Sequence, residues 1–387
     1  MGMNRSRVSI LSVALVAILV VPGVLMTAPT SKAEAATWTF AIYVAADNSL
    51  EPYWETTTLP FLQAVPASDD VNLVAILDFK STSTIEIVKV SGSTVTTVET
   101  YGEMDTGDPA TLSFWIDRAT TLWPSTYFGL SLWDHGFGWQ YICADDTSAS
   151  SINMTDLESA FTDAGEMVDV LAFDACNMAM AEVAYALSLT DLVQYMVATE
   201  EYGPGDGLPL DDILTTLVND PTMTPGELGT VMVDEWGSHY DKTNGGRMCL
   251  ASIDVAEFGA RMGNFNSWSA RMMDMLPSYQ SYYESAVQKS HAMTAIPYFV
   301  DLYDLAYNLL DQSGITDATL RSLTTQIQSD VLTYVADYWG GPKMDDCGGI
   351  TLYWAADNDW DWYGADYLDT QFAIDTGWGD FLTELHA

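Results

Sequence analysis

Basic residues are scarce in this chain. Its 387 residues include 13 Lys and Arg against 54 Asp and Glu, a formal net charge of −41. That excludes ordinary phosphate-backbone binding, which needs a basic footprint, so no nucleic-acid partner is expected. Lys and Arg are missing altogether between Arg118 and Lys242. Cysteine is limited to Cys143, Cys176, Cys249 and Cys347. None forms a CxxC, so spacing gives no support to a cysteine-based zinc site. Of the four histidines, His239, His291 and His386 have no partner at ligand spacing and are expected to be structural or on the surface. Beyond the N-terminus no apolar run approaches the roughly 20 residues of a membrane span. There is no internal repeat and no low-complexity linker.

What is present fills a large core: 48% of residues are hydrophobic and 12% aromatic, which excludes disorder despite the charge. Asp outnumbers Glu, 38 to 16. Short carboxylates with few lysines suit a surface kept soluble at high salt, and their summed field favours cationic partners such as calcium or basic peptides. At the N-terminus Arg5 and Arg7 precede the apolar stretch Ile10–Val21, then Pro22-Gly23 and the small-x-small site Ala33-Glu34-Ala35. That pattern is a secretory signal peptide over residues 1–36, which left uncleaved would be an N-terminal anchor. The mature protein is therefore expected to be exported and soluble. Disulfides are permitted outside the cell. With one cysteine kept free for chemistry at most one intrachain pair forms, and Cys249–Cys347, each beside a strand-like segment, is the expected one.

Along the mature chain strands alternate with helices. Trp38–Ala45 and Val71–Phe79 read as strands, with Leu50–Val65 between them as a helix interrupted by Pro60. Ile85–Val90 and Val95–Thr100 read as a hairpin. Asp108-Pro109 caps a helix to Trp123. Tyr127–Trp133 is the next strand, and Thr155-Asp156-Leu157-Glu158 reads as a capping box. The strand Val168–Phe173, a helix Met178–Leu189 and the strand Val193–Thr199 follow. This alternation implies a mostly parallel sheet covered by helices on both faces. After about Tyr240 the pattern changes to a strand at Arg247–Ile253, long helices bearing Met272, Tyr283, Leu302 and Leu309, and a late strand at Gly349–Trp354. The chain thus divides into an α/β core, residues 37–240, and a helix-rich part, residues 241–387, that packs on it and returns strands to it.

Reactive groups gather at the carboxyl ends of strands in such sheets. Asp134-His135-Gly136 ends one strand and Asp174-Ala175-Cys176-Asn177 ends the next along the chain. If those strands are neighbours, the His135 imidazole and the Cys176 thiol face one crevice. A thiol near neutral pH is a weak nucleophile that an imidazole activates, by taking its proton or holding it as an ion pair. The imidazole then protonates the leaving amine. The backbone N–H groups of Gly136 and Cys176 are placed to meet a developing oxyanion. A helix beginning after Cys176 would favour the thiolate. Spacing alone leaves open the alternative that both residues are ordinary structural ones.

Asp-His-Gly, together with Asp174-Ala175-Cys176-x-Met178-Ala179-Met180-x-Glu182-Val183-Ala184-Tyr185, resembles the clostripain family of cysteine peptidases, relatives of caspases, legumain and gingipains. The likeness extends to Tyr43-Val44-Ala45-Ala46-Asp47-Asn48-Ser49-Leu50-Glu51, to Ala198-Thr199-Glu200-Glu201 with Pro204-Gly205-x-Gly207, and to Asp301-Leu302-Tyr303-Asp304 and Gly348–Tyr353. It covers nearly the whole mature chain in the right order. It implies a caspase-like αβα sandwich, Cys176 as nucleophile, His135 as general base and then acid, and an oxyanion hole from the Gly136 and Cys176 amides. It also implies an endopeptidase cutting after a basic residue; the protein is expected to be a monomer. Asp174 is the expected acid of the S1 pocket, favouring Arg over Lys through planar bidentate pairing. Asp206 in the glycine-rich loop is a second candidate, and Glu200 and Glu201 are read equally well as surface charges. The competing function is a catalytically silent, secreted, acidic binding domain on the same fold.

The chain departs from the family in two places. Members often mature by cutting themselves after a basic residue between His and Cys or soon beyond, which this chain lacks, so it acts as a single chain or is activated elsewhere or differently. Asn177 replaces the bulky apolar residue common after the cysteine. No cofactor is required for the chemistry. Calcium is implied as a structural or activating ion, but Asp357-Asn358-Asp359-Trp360-Asp361 is no EF-hand, because Trp362 stands where a glycine is needed and Leu368 where an acid is needed. Asp357, Asp359 and Asp361 are thus weak metal candidates, as are Asp145 and Asp146.

Overall fold

Strand β1 (Ala36–Ala46) has no charged residue, and its two side-chain rows enter two separate apolar clusters. Ala41, Tyr43 and Ala45 join one; Trp38, Phe40, Ile42 and Val44 join the other. A strand apolar on both sides needs cover on both faces of its sheet. The computed structural model describes residues 35–240, 246–294 and 296–387. From β1 the chain runs through α1 (Glu51–Tyr53), a π-helical turn (Trp54–Thr58), α2 (Leu59–Ala64), β2 (Val71–Phe79), β3 (Thr84–Ser91), β4 (Thr94–Gly102) and α3 (Pro109–Leu122). Then come β5 (Ser125–Trp133), β6 (Ile142–Asp145), β7 (Ser150–Ile152), α4 (Met154–Ala164), β8 (Val168–Asp174), α5 (Ala181–Ser188), β9 (Val193–Ala198), α6 (Leu210–Asn219) and α7 (Pro225–His239). The remainder comprises β10 (Cys249–Asp254), α8 (Val255–Lys289), β11 (Phe299–Asp301), α9 (Leu302–Asp311), α10 (Ala318–Tyr334), β12 (Val335–Gly340), β13 (Thr351–Tyr353), α11 (Asp357–Leu368), α12 (Gln371–Thr376) and α13 (Trp378–Leu385).

The main sheet is ordered β12-β10-β9-β8-β5-β1-β2-β3-β4. Its middle strands, β9 to β2, pair in parallel, and β10, β12, β3 and β4 add antiparallel edges. Apolar side chains of α2, α6 and α7, among them Leu62, Ile213 and Trp236, cover one face. Those of α3, α4, α5 and α8, among them Trp115, Phe161, Val183 and Trp268, cover the other. The result is a three-layer αβα sandwich with a mostly parallel sheet. Strands β10 and β12 belong to the same sheet as β1, while β11 and β13 form a separate antiparallel pair. Residues 35–387 are one compact unit, and no helix among the described residues is long and apolar enough to cross a membrane.

Local signals placed most elements, with two differences. Asp108 caps α3 as expected, accepting from the N–H of Ala110 at 2.9 Å, but α4 is capped by Asn153 rather than Thr155. Asn153 and Asp156 bond each other's backbone N–H groups reciprocally, so the box starts two residues earlier. The helix expected over this stretch is interrupted at Pro60 as read: helical backbone runs from Glu51 to Ala64, and a π-helical turn, Trp54–Thr58, immediately precedes the Leu59-Pro60 start of α2. The expected Cys249–Cys347 disulfide is absent: all four cysteines are free. Cys249 Sγ lies 3.3 Å from Thr199 Oγ1, and Cys347 sits in a buried group with Glu200 and Asp301. The proposed signal peptide, apart from Ala35 and Ala36, lies outside the described residues.

Candidate active site

The chain reverses its direction of sheet growth at β1, which has β2 on one side and β5 on the other. Crevices outside the strand ends at such a reversal are the ligand sites of open α/β sheets. Three loops meet there. Asp47-Asn48-Ser49 leaves β1, Asp134-His135-Gly136 leaves β5, and Ala175-Cys176-Asn177 leaves β8, whose Asp174 is in register with Trp133 of β5. The structure therefore brings His135 and Cys176 together on adjacent parallel strands.

His135 is half-buried, and its Nε2 lies 3.0 Å from Ser49 Oγ. No hydrogen bond joins it to Cys176 among the described residues, so the imidazole is held by the serine rather than by the thiol. Asp134 beside it is buried and turned away, accepting from Asn48 Nδ2 at 2.7 Å and from the Ala144 N–H. Asn48 also donates to the Ala144 carbonyl at 2.9 Å, stitching the β1 turn to the loop after β5. Gly136 is needed because of close approach: a Cβ there would stand 2.7 Å from the Cys176 carbonyl oxygen and 2.8 Å from Met178 Sδ.

Cys176 is partly exposed, and its Sγ accepts from the Gly203 N–H at 3.4 Å. Burial raises its pKa, and the Gly203 N–H only partly offsets that. Burial lowers the pKa of His135, against a smaller opposing effect of Asp146. Both shifts favour the uncharged forms. The expected helix dipole does not act on the thiol, since α5 begins only at Ala181.

Asp174 lies at the strand end beneath the cysteine. Its Oδ1 accepts from the Leu208 N–H at 3.1 Å, and burial raises its pKa to about 7. A Cβ on Gly207, at φ +67°, would meet both Asp174 carboxylate oxygens within 2.8 Å. Tyr240 donates to the Gly207 carbonyl at 2.7 Å and closes the group. Asp206 sits in the same loop on an exposed turn.

The sequence model of the clostripain family matches residues 42–384. The chain belongs to the clostripain family. It is a cysteine peptidase. Among solved structures it is similar to an inactive zymogen C11 protease from Parabacteroides distasonis, at 19% identity and a TM-score of 0.69, covering 89% of this chain and 99% of that one. It is likewise similar to a secreted C11 cysteine protease from Bacteroides thetaiotaomicron called iotapain, at 14% identity and TM-score 0.66, covering 83% and 94%. A third similar structure is a secreted C11 cysteine protease from Bacteroides thetaiotaomicron in complex with an irreversible peptide inhibitor, at 18% identity and TM-score 0.66, covering 90% and 99%. These likenesses show the caspase-like fold. No curated protein matches the sequence.

The family pattern also puts Asn177 in context. It adopts φ +58°, a left-handed conformation that Asn tolerates better than bulky residues. Its N–H donates to the Glu201 carbonyl at 3.1 Å and its Nδ2 to the Glu200 carbonyl at 2.7 Å, pinning the loop that carries Cys176 to the end of β9. Glu200 and Glu201 are not surface charges: they are 0% and 3% exposed. Glu201 accepts from the Thr294 N–H and Oγ1 and from Arg247. Glu200 is pressed against Asp301, which caps α9, and burial holds Glu200 protonated well above the usual carboxylate range. Of the other histidines, His239 packs on Phe61, and His291 stands 3.5 Å from Arg247. Ser49 and Asn48 are site residues that sequence reasoning assigned no role. The quoted Asp-Asn-Ser turn was their visible trace.

The run Asp357–Asp361 is no cation loop. It opens helix α11, and residues two apart in a helix point about 200° apart, so Asp359 and Asp361 do not converge. The side chain of Asp357 lies outside the described residues. Asp145, by contrast, belongs to a carboxylate cluster with Asp47, Asp78 and Glu103.

Proposed function

We propose that this peptidase is a secreted, monomeric endopeptidase that hydrolyses peptide bonds after basic residues, Arg in preference to Lys. The observation that carries the specificity is the Asp174 carboxylate, half-buried under the cysteine, backed by Gly207 and Tyr240, with one oxygen on the Leu208 N–H and the carboxylate otherwise available to a cation. A guanidinium suits such a planar acceptor and would draw Asp174 into its ionised form. Export rests on the signal-peptide pattern of residues 1–36.

In the resting site thiol and imidazole are both uncharged, in keeping with the directions of their shifts. His135 takes the Cys176 proton as the sulfur attacks the scissile carbonyl carbon. The C–S bond forms and the carbonyl π electrons pass to oxygen, which the Gly136 and Cys176 amides receive. Collapse breaks the C–N bond, the leaving amine takes the proton from His135, and the thioacyl ester remains on Cys176. A water deprotonated by His135 then hydrolyses it. Ser49 keeps the imidazole in place throughout.

The test is to express residues 37–387 and assay fluorogenic peptides ending in Arg, Lys, Asp or Asn, with Cys176→Ala alongside. Cleavage after Arg or Lys that vanishes in the variant supports the whole reading. Cleavage after another residue keeps the peptidase and removes Asp174 as its specificity determinant. A folded protein with no activity, and a Cys176 inert to iodoacetamide, would point to the silent binding domain.

A further inference from the structure

A second pocket, of about 630 Å³, is built on the loop that follows His135-Gly136. Phe137, Trp139 and Tyr141 line it from that loop, and Tyr363, Asp366 and Asp369 line it from α11 and its C-terminal end. The loop is fixed in shape. The Phe137 N–H donates to the Tyr141 carbonyl at 2.9 Å, the Phe137 and Tyr141 rings stack at 6.0 Å, and Gly136 bridges Ile142 across the base. Trp139, 4% exposed, packs edge-on against Tyr353 and Tyr367. Burial, and then the charges of Asp134 and Cys176, raise the pKa of Tyr141, which puts its hydroxyl within electrostatic reach of the catalytic centre.

The charge of this pocket is one-sided. Among the described residues no Lys or Arg lines it, and Asp366 and Asp369 are exposed and form no ion pair. Both stand at the C-terminal end of α11, whose last turn has no basic residue, so the helix dipole adds to their negative charge. The positive end of α4, on the other wall at Asn153, is met by that residue's own side chain and by Asp156. What remains is a negative opening with aromatic walls. It suits an ammonium or guanidinium group, whose stem lies on ring faces while its charge meets the carboxylates.

We propose that this pocket is a subsite for the leaving half of the substrate, taking a basic side chain from the residues just after the scissile bond. It rests on the thioacyl mechanism above and not on the role of Asp174. His135 protonates the leaving amine, so the leaving residues start at the imidazole and pass the loop that follows it. The acyl half lies elsewhere. Leu208 and Tyr240, beside Asp174, pack with the apolar cluster under α6 and α7, whereas Trp139 and Tyr367 belong to the cluster on the other face of the sheet. An extended chain turns alternate side chains to opposite sides, so a position that enters the pocket has neighbours that point away from it. That separates the subsite from the general field of a −41 chain, which favours Lys at every position and fades with salt.

The test uses internally quenched peptides that share the residues before the bond and carry Lys, Ala or Glu at each of the first four positions after it. If a residue other than Arg is cleaved, that residue replaces it in all of them. At one position Lys should raise kcat/KM about tenfold over Glu, a preference should remain in 0.5 M NaCl, and the adjacent positions should show little. Asp366→Asn combined with Asp369→Asn should cut the ratio below twofold, and Tyr363→Ala should cut it about threefold. Asp234→Asn, on α7 across the sheet, should keep it in full. An aminocoumarin amide, which has no residue after the bond, gives each variant's activity on the acyl half, against which the peptide rates are normalised. If the double variant does not fold, Tyr363→Ala carries the comparison. Ratios near one at all four positions, equal ratios that salt abolishes, or a preference that survives the double substitution would overturn the subsite. If no peptide is cleaved, the thioacyl mechanism fails by itself, and fluorescence anisotropy of the labelled leaving peptides reads the pocket. Tighter binding of the Lys peptide than the Glu peptide, lost in the double variant, then supports it, and equal binding overturns it.

Discussion

Asp174→Asn separates two consequences of one half-buried carboxylate. The folded protein holds the Asp174 pKa near 7, against an ordinary value of 3.8, because burial disfavours its charge and the Leu208 N–H only partly compensates. A raised acid pKa means that the folded state binds the proton more tightly than the unfolded chain. The penalty is absent below about pH 4, grows as pH rises to 7, and is full above that. At about 1.36 kcal/mol per unit it approaches ~4 kcal/mol, reduced to about 2–4 kcal/mol by solvent on the open side of the pocket. Asparagine keeps the shape and the acceptor for Leu208 without the charge. At pH 8 the variant should therefore unfold roughly 3–5 °C later than wild type, and at pH 4 at the same temperature. Its kcat/KM on Arg substrates should fall about 100-fold, from losing a charge-assisted pair worth ~1.5–3 kcal/mol. In the wild type, KM for Arg peptides should fall as pH rises through 7. Differential scanning fluorimetry at the two pH values and Michaelis–Menten kinetics test both parts. A stability gain that is the same at pH 4 and pH 8, or Arg cleavage that survives the substitution, would refute the reasoning.

Four other outcomes are expected. Ser49→Ala frees the His135 imidazole, so kcat should drop about tenfold with KM unchanged, and Ser49→Thr should restore most of it. Gly136→Ala puts a methyl 2.7 Å from the Cys176 carbonyl oxygen, so activity should be lost in a chain whose circular dichroism is that of a folded protein. Asn177→Leu forfeits a buried side-chain hydrogen bond and forces a branched residue to φ +58°; urea unfolding should show a loss of roughly 2–4 kcal/mol. With a net charge of −41, the unfolding midpoint should rise between 0.05 M and 1 M NaCl as carboxylate repulsion is screened, and a flat response would remove the high-salt reading.

Much of the scaffold was written in local patterns. The apolar runs of β1, β2, β5 and β8, with helices between them, imply a parallel sheet covered twice, and Asp108-Pro109 marks the start of a helix in any context. The meeting of His135 and Cys176 followed from their places at two strand ends, since adjacent parallel strands present their ends on one side. Short-range signals failed where two candidates compete over a few residues, as when Asn153 with Asp156, rather than Thr155 with Glu158 at the same spacing, took the cap. They failed also for β12, whose mixed sequence becomes a strand only because β10 offers it an edge.

Charge and cysteine were the residues least legible alone. Glu200 and Glu201 read equally well as surface acids, yet tertiary packing buries both, and a carboxylate's fate depends on donors that come from distant segments: Thr294 for Glu201, Thr106 for Asp78. The cysteines Cys249 and Cys347 looked pairable because each adjoins a strand, but a disulfide depends on where the sulfurs point, which neighbouring strands do not dictate. By itself the sequence determined the periodicity of its strands and helices, the order of its motifs and its net charge, because these are properties of neighbours along the chain. Only the tertiary structure decided which acids are buried, what holds His135 and which oxygens are left without a partner, because each depends on atoms that are close in space and far apart in sequence.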